Sequence, residues 1–214
     1  MMKVALLTGG PQNCIPPIIF NDHSQNWCGI DYGAVELVHH GIDPFLAIGD
    51  FDTASSAELM EVKQHCQKLI YRPLKDDITD TELALRYLIT HYDCEEFKLY
   101  GATGGRLDQL FANIFLILKS QYHQYVEKIE LIDKWNQVNF YLPGKHVVTR
   151  NPLMKYLAFI PLVAVKGLEL LDEKYQLAKT DISYPISLSS NEFKGSTASF
   201  NFSKGLVMVI QSRD

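Results

Sequence analysis

The sequence contains few cysteines, and no two of them are closely spaced. This spacing excludes both a CxxC redox motif and a zinc knuckle, so free thiols are the simplest interpretation of Cys14, Cys28, Cys66 and Cys94. Dense runs of lysine and arginine are also missing, since 20 basic residues stand against 25 acidic ones. The net charge of -5 therefore argues against nucleic acid as a partner.

Long apolar segments and low-complexity stretches are equally absent. The first ten residues, MMKVALLTGG, carry one lysine before an apolar run that stops at Gly9, which is too short for a signal sequence or a membrane span. We therefore predict a cytoplasmic protein with no membrane contact. A length of 214 residues, with 47% of them apolar, is enough for one large domain or two small ones.

The first part of the chain alternates short apolar runs with helical patterns. This alternation is typical of parallel strands joined by crossover helices, and it predicts an α/β domain with a mainly parallel sheet. We predict buried strands at residues 4–7, 45–48, 97–100 and 129–132.

Helix starts are marked by two capping boxes and by one change of periodicity. Ser55 with Glu58, and Thr79 with Glu82, have the spacing at which a hydroxyl and a carboxylate satisfy backbone N–H groups at a helix start. A third helix is predicted after Arg106. We expect its apolar stripe to pack against the sheet, and the stripe consists of Leu107, Leu110, Phe111, Ile114 and Leu118.

The pattern changes after Trp135. Short β-rich runs at residues 138–142, 156–160 and 206–210 are separated by turn-forming pairs such as Pro-Gly and Asn-Pro. This spacing predicts a small antiparallel β-sandwich. We therefore expect an α/β domain over residues 1–134 and a β-sandwich over residues 135–214.

Two aspartates directly follow the predicted strand at residues 45–48. In a parallel sheet, ligands bind beyond the carboxyl ends of the strands. If the chain stays extended there, Asp50 and Asp52 project from the same side. Two neighbouring carboxylates favour a shared cation, and Mg²⁺ suits their hard oxygen atoms. A solvated turn or a helix cap would explain the same residues equally well.

Further acidic residues stand at two other predicted junctions. Asp77 and Asp80 lie just before and at the start of the helix capped by Thr79, where carboxylates ordinarily stabilise the helix dipole. Asp31 follows the apolar run at residues 27–30. Because several strand ends deliver an aspartate, one shared cation site is a second interpretation of these residues.

A glycine-rich segment, LYGATGGRLDQ, joins a predicted strand to the third helix. Glycines allow the backbone to approach a phosphate closely, and the helix start adds N–H donors. Arg106 could bind a phosphate with two parallel hydrogen bonds. The segment therefore predicts an anion-binding loop, although a tight turn with a surface arginine remains the alternative.

Taken together, these segments resemble the thiamine pyrophosphokinase family. The matching motifs are DYGA at residues 31–34, GIDPFLAIGDFD at 41–52, DITD at 77–80, GATGGRLDQ at 101–109 and SNEF at 190–193. Their order and spacing span most of the chain. The resemblance implies an N-terminal nucleotide-binding catalytic domain, a C-terminal thiamine-binding β-sandwich, and a homodimer with active sites between subunits.

The resemblance also implies roles for individual residues. It implies catalytic roles for Asp50, Asp52, Asp77 and Asp80, with Mg²⁺ held by Asp50, Asp52 and Asp80. It implies nucleotide binding by Asp31, Gly104, Gly105, Arg106 and Asp108, and thiamine binding by Ser190, Asn191 and Tyr175.

The implied reaction transfers diphosphate from ATP to the primary hydroxyl of thiamine and gives thiamine diphosphate and AMP. Such chemistry depends on positioning and charge neutralisation more than on a covalent nucleophile. Two other functions are consistent with the same residues. One is a metal-dependent nucleotide phosphohydrolase, and the other is a sensor that binds thiamine or a nucleotide without turning it over.

Overall fold

The computed structural model of the protein describes residues 1–72 and 78–214. The chain forms two compact units. Unit 1 comprises Met1–His123 and Leu131–Lys134, and unit 2 comprises Gln124–Glu130 and Trp135–Asp214. Each helix among the described residues is too short or too polar to span a membrane.

Unit 1 is built on a parallel sheet. Its strands are β1 (Met2–Leu7), β2 (Asn26–Ile30), β3 (Leu46–Gly49), β4 (Leu69–Tyr71), β5 (Cys94–Tyr100) and β6 (Ile129–Ile132), of which the last two residues of β6 belong to this unit. The sheet order is β6-β5-β1-β2-β3-β4. The pairs β1–β2, β1–β5, β2–β3 and β3–β4 are all parallel. Residues 4–7 of the central strand β1 are buried, as their continuous apolar run predicts.

The described residues of this unit include the α-helices α1 (Tyr32–His39), α2 (Ser56–His65), α3 (Asp80–His91) and α4 (Leu107–Leu116). The predicted capping box at α2 is confirmed, because Ser55 and Glu58 each accept the other's backbone N–H, at 3.3 and 2.7 Å. At α3 only half of the predicted box forms. Thr79 accepts the backbone N–H of Glu82 at 3.2 Å, but the Glu82 carboxylate is bound by Lys119 at 2.6 Å.

The prediction that the apolar stripe of α4 packs against the sheet is wrong. Leu107, Phe111 and Leu118 are 68%, 50% and 40% exposed. The buried residues are Asn113 and Leu116 on the helix and Ile117 just after it. The Asn113 amide donates a hydrogen bond of 2.8 Å to the carbonyl of Ala102. This bond fixes the rotation of α4, and at 100° per residue the predicted stripe falls mostly on the opposite face.

Unit 2 is an antiparallel β-sandwich. Its strands are β7 (Asn136–Tyr141), β8 (Gly144–Thr149), β9 (Tyr156–Pro161), β10 (Val165–Leu170), β11 (Leu177–Ile182), β12 (Leu188–Glu192), β13 (Thr197–Phe202) and β14 (Val207–Ser212). One sheet has the order β12-β9-β14-β7 and the other β11-β10-β13-β8. Their core includes Phe159 and Phe200, whose ring centroids lie 5.1 Å apart in an edge-to-face arrangement.

The predicted fold class is therefore confirmed. A mainly parallel α/β unit and an antiparallel β-sandwich occupy successive parts of the chain.

Candidate active site

The carboxyl ends of four neighbouring strands form one edge of the unit 1 sheet. Asp31 follows β2, Asp50 follows β3, and the glycine-rich segment follows β5. The end of β1 lies between them. A Cβ atom at Gly10 would overlap the carbonyl oxygen of Gly101, so a glycine is required where these two strand ends approach. The loops that carry the predicted site residues therefore start from adjacent strands, spaced about 4.8 Å apart.

Three aspartates converge at this edge. Asp31, Asp50 and Asp52 each place one carboxylate oxygen within 4.8 Å of the others. The backbone N–H of Asp31 is bound to the carbonyl of Ile48 at 2.9 Å, which ties the exit of β2 to the end of β3. Three carboxylates at such separations match the donor set that a hard divalent cation requires.

The chain does not stay extended after β3, in contrast to the sequence-based expectation. Phe51 has a left-handed φ of 53°, and Asp31 has a φ of 50°. The Phe51 ring is buried, and this burial offsets a backbone conformation that costs an ordinary residue about 1–3 kcal/mol. The carboxylates of Asp50 and Asp52 converge because the residue between them is anchored in the core. In an extended chain, residues two apart project from the same side, so the two carboxylates would have lain together without a buried residue between them.

Burial and like charge both act on Asp31. Burial raises the pKa of Asp31 above its ordinary value, and the neighbouring carboxylates of Asp80, Asp50 and Asp52 raise it further. Its Oδ2 atom accepts a hydrogen bond of 3.4 Å from Thr53. Its Oδ1 atom is buried and has no hydrogen-bond partner among the described residues. A cation at the centre of the cluster would satisfy this oxygen and remove the repulsion.

Asp80, at the first turn of α3, lies at the margin of the cluster. Burial raises the pKa of Asp80, and the charge of Asp50 adds to this effect while Arg72 opposes it. Arg72 places its Nη2 atom 3.5 Å from the Asp80 carboxylate. The structure thus groups Asp31 with Asp50 and Asp52, whereas Asp80 lies beside Arg72. Asp77, a predicted catalytic residue, lies outside the described residues.

The glycine-rich loop between β5 and α4 is fixed from two sides. The Thr103 hydroxyl donates a hydrogen bond of 2.5 Å to the buried carboxylate of Asp133, and Asn113 holds the carbonyl of Ala102. Gly104 has a φ of 77°, and a Cβ atom there would lie 2.7 Å from the Cys14 sulfur. The loop therefore needs glycine at this position, and the hydrogen bonds of Thr103 and Asn113 anchor it.

Arg106 and Asp108 pair with each other at the start of α4. Arg106 donates from Nε to Oδ1 at 3.1 Å and from Nη2 to Oδ2 at 2.5 Å. The hydrogen bonds from Arg106 hold the pKa of Asp108 below its ordinary value. Both side chains are exposed. These bonds use two of the five guanidinium N–H groups, so a phosphate can bind the remaining donors or replace Asp108 as the partner.

The predicted residues of unit 2 lie on two neighbouring segments. Tyr175 stands in the connection between β10 and β11 and is 58% exposed. Ser190 and Asn191 belong to β12, where Ser190 is exposed with a left-handed φ of 60° and Asn191 is buried. The carboxamide of Asn191 is bound to the backbone of Tyr175. The structure thus brings Asn191 and Tyr175 together within this unit.

The same connection contains a fully buried carboxyl group. Glu173 has an Oε2 atom that accepts the backbone N–H of Asp172 at 3.1 Å, and an Oε1 atom with no hydrogen-bond partner among the described residues. Burial raises the pKa of Glu173 above its ordinary value, so the folded protein holds this proton more tightly than the unfolded chain does. Protonation of Glu173 contributes to the free energy of unfolding. This contribution is complete below the unfolded glutamate pKa of about 4.3, and it is lost as the pH rises through the raised pKa of the folded protein.

We expect Glu173→Gln to remove this loss, because glutamine is neutral at every pH and has nearly the same shape. The melting temperature at pH 7 should rise by about 2–4 °C, and the gain should disappear near pH 4. Thermal unfolding between pH 4 and 8 measures this difference. Glu95→Gln, at a partly exposed position of β5, is the control and should give no such trend. A destabilised Glu173→Gln protein at pH 7 would show that the buried carboxyl makes a favourable contact instead.

Sequence reasoning missed several residues that support these sites. They are the Asp133 partner of Thr103, the Asn113 anchor of the loop, the Arg72 partner of Asp80, and the buried Glu173. Asn113 had a usable signal, because it is a polar residue inside the apolar helix LFANIFL. Asp133 also directly follows the strand IELI, where a polar side chain often faces a neighbouring loop.

Comparisons with known proteins agree along the whole chain. Residues 19–129 match the family model described as thiamin pyrophosphokinase, catalytic domain. Residues 145–207 match the model described as thiamin pyrophosphokinase, vitamin B1 binding domain. A curated protein from Bacillus subtilis (strain 168), named thiamine pyrophosphokinase, is 33% identical over 217 residues and is covered along 100% of both chains.

Solved structures give the same result. A thiamin pyrophosphokinase family protein from Enterococcus faecalis superposes with a TM-score of 0.92 at 37% identity, covering 99% of each chain. A protein from Lactobacillus plantarum superposes with a TM-score of 0.88 at 41% identity, covering 100% of each chain.

Proposed function

The chain belongs to the thiamin pyrophosphokinase family, and from this premise we propose that it transfers a diphosphate group from ATP to the primary hydroxyl of thiamine. The hydroxyl oxygen attacks the β-phosphorus of ATP and loses its proton. The bond between that phosphorus and the oxygen bridging to the α-phosphorus breaks, and AMP leaves with this oxygen. The products are thiamine diphosphate and AMP.

The acidic cluster of unit 1 is the observation that carries the proposal. Asp31, Asp50 and Asp52 offer oxygen atoms within 4.8 Å of one another, and one buried oxygen of Asp31 has no partner among the described residues. This donor set fits Mg²⁺, which prefers carboxylate oxygens and commonly joins them to phosphates. We assign these three residues to the metal, with Asp80 beside them. Mg²⁺ bound here supplies positive charge that offsets the charge of the triphosphate and of the departing AMP.

The glycine-rich loop is assigned to the phosphates. Gly104 and Gly105 leave space beside the backbone for phosphate oxygens, and the start of α4 offers N–H donors. Arg106 exchanges its Asp108 partner for a phosphate, so the guanidinium moves from one doubly hydrogen-bonded anion to another. The anchors at Thr103 and Asn113 keep the loop in place during this exchange, and ordering it upon binding costs little.

Unit 2 is assigned to thiamine. Ser190, Asn191 and Tyr175 are the residues that the family resemblance points to, and the exposed Tyr175 ring offers an aromatic surface. Thiamine carries an aromatic pyrimidine and a cationic thiazolium, and both are attracted to such a ring. We further propose that the protein is a homodimer with active sites between subunits, as the resemblance implies.

One assay tests the proposed function directly. The protein is incubated with ATP and Mg²⁺, with and without thiamine, and the products are separated by chromatography. We expect AMP and thiamine diphosphate in equal amounts, only when thiamine is present. Chelation of the metal by EDTA should stop the reaction, and excess Mg²⁺ should restore it.

Other outcomes of the assay would contradict the proposal. Release of inorganic phosphate or diphosphate from ATP without thiamine would identify a phosphohydrolase. A rise in melting temperature with thiamine or ATP, but no product with both, would identify a sensor that gains stability by mass action alone.

A further inference from the structure

The connection between β10 and β11 is tied closely to strand β12. The backbone N–H of Lys174 donates to the carbonyl of Glu192 at 3.0 Å, and the Lys174 ammonium binds the Glu192 carboxylate at 2.6 Å. The ammonium also lies 5.5 Å from the centroid of the Tyr175 ring. The connection that carries the exposed Tyr175 ring is therefore bound to β12 by backbone and side-chain contacts.

Asn191 makes the central contacts of this attachment. Its Oδ1 atom accepts the backbone N–H of Tyr175 at 2.9 Å, and its Nδ2 atom donates to the carbonyl of Tyr175 at 2.8 Å. Both polar groups of the Tyr175 backbone are thus held by one side chain. Oδ1 also accepts the backbone N–H of Glu192 at 2.9 Å.

These contacts leave Asn191 little capacity for a ligand. A carboxamide oxygen has two lone pairs, and both are used by the N–H groups of Tyr175 and Glu192. One N–H of Nδ2 is used by Tyr175, and the residue is only 3% exposed. A substrate molecule could reach the remaining N–H only by displacing the connection that carries Tyr175.

An irregularity in β12 turns Asn191 towards this connection. Leu188 pairs with Phe159 and Asn191 pairs with Leu157, so three steps on β12 match two steps on β9. The extra residue is absorbed where Ser190 adopts a left-handed φ of 60°. In a regular strand, Leu188 and Asn191 would face opposite sides, whereas the bulge lets both face the same side. The strained Ser190 backbone therefore serves the orientation of Asn191.

We propose that Asn191 is a positioning residue that acts on thiamine through Tyr175 and does not itself bind the substrate. The inference rests on the proposed function, because it takes Tyr175 as part of the thiamine site. It replaces the direct role that the sequence resemblance implied for Asn191. Asn191 fixes the backbone of Tyr175, and Tyr175 supplies the surface that thiamine contacts.

A double-mutant cycle on the Michaelis constant (KM) for thiamine tests this order of action. We expect Tyr175→Ala to raise the thiamine KM about tenfold, the scale of a lost cation–π contact. Asn191→Ala should raise it by a similar factor, because the ring is no longer held. The thiamine KM of the double variant should not exceed the higher of the two single-variant values. The KM for ATP should stay unchanged in all three variants.

Gln211→Ala is the matched control for lost stability. Gln211 is also a buried amide of the same sheet, and it bridges the N–H of Asn151 at 2.7 Å and the carbonyl of Thr149 at 3.1 Å. Its removal should lower the melting temperature and leave the thiamine KM unchanged. If Asn191→Ala does not fold, Asn191→Asp provides a second cycle, because it keeps the acceptor for both N–H groups and places a repelling oxygen where the Tyr175 carbonyl needs a donor.

The outcomes separate this inference from the proposed function. Effects that multiply in the double variant would show that Asn191 acts on thiamine independently of Tyr175 and would overturn the inference. A lower melting temperature with an unchanged thiamine KM would reduce Asn191 to a structural residue and would also overturn it. If the wild-type protein makes no thiamine diphosphate, the proposed function fails and the inference fails with it.

Discussion

Asp52→Asn is expected to lower the rate of thiamine-dependent AMP formation by about 100- to 1,000-fold at saturating Mg²⁺, the scale of losing one fixed electrostatic contact to the reacting group. Asp52 is the exposed member of the acidic cluster, and its carboxylate lies within 4.8 Å of those of Asp31 and Asp50. Asparagine has nearly the same size but lacks the charge that binds a cation. Because the change removes one of several like charges, the fold should not be destabilised.

The measurement is a Mg²⁺ titration of AMP formation, followed by thermal unfolding of the same samples. Asp93→Asn is the matched control, since Asp93 is an exposed aspartate of unit 1 that lies close to the N-terminal amine. It should leave both rate and metal requirement unchanged. Turnover of Asp52→Asn close to that of the wild-type protein would remove Asp52 from the proposed metal site.

Arg106→Ala is expected to raise the KM for ATP by about 10- to 100-fold, with a smaller effect on the KM for thiamine. A hydrogen bond to a charged group contributes about 1.5–3 kcal/mol, and the guanidinium can make two such bonds to one phosphate. In the proposed exchange, part of this gain is already offset in the wild-type protein, because ATP takes the place of Asp108. The loss should therefore be smaller than for an arginine without a resting partner.

Initial rates over a range of ATP concentrations at fixed thiamine and Mg²⁺ measure this effect. Arg86→Ala removes an exposed arginine of α3 and serves as the control. An ATP KM and a maximal rate that both stay at wild-type values in Arg106→Ala would contradict the assignment of the glycine-rich loop to the phosphates.

Local signals in the sequence were sufficient to predict the edge that carries the acidic residues. Apolar runs predict buried strands, and the aspartates stand immediately after two of them. Ser55 and Thr79 mark helix starts because capping is a local interaction between residues three apart. These features depend on near neighbours in the chain, and the structure contains them at the predicted places.

Features set by distant residues could not be predicted in this way. Periodicity indicates which residues of α4 share a face, but the burial of Asn113 decides which face turns inward. The left-handed backbone of Phe51 depends on a core pocket for its ring. The attachment of Asn191 on β12 to Tyr175 in the connection between β10 and β11 joins residues 16 positions apart, and no local pattern reports it.

The resting Arg106–Asp108 pair also bears on selectivity among anions. A small oxyanion such as sulfate that takes the place of Asp108 gains little, because the guanidinium exchanges one pair of charge-assisted hydrogen bonds for another. A nucleotide that arrives with its own divalent cation brings positive charge to the aspartates while it offers phosphate to the arginine. Under the proposed function, the pair would therefore disfavour free buffer anions and favour a metal-bound nucleotide.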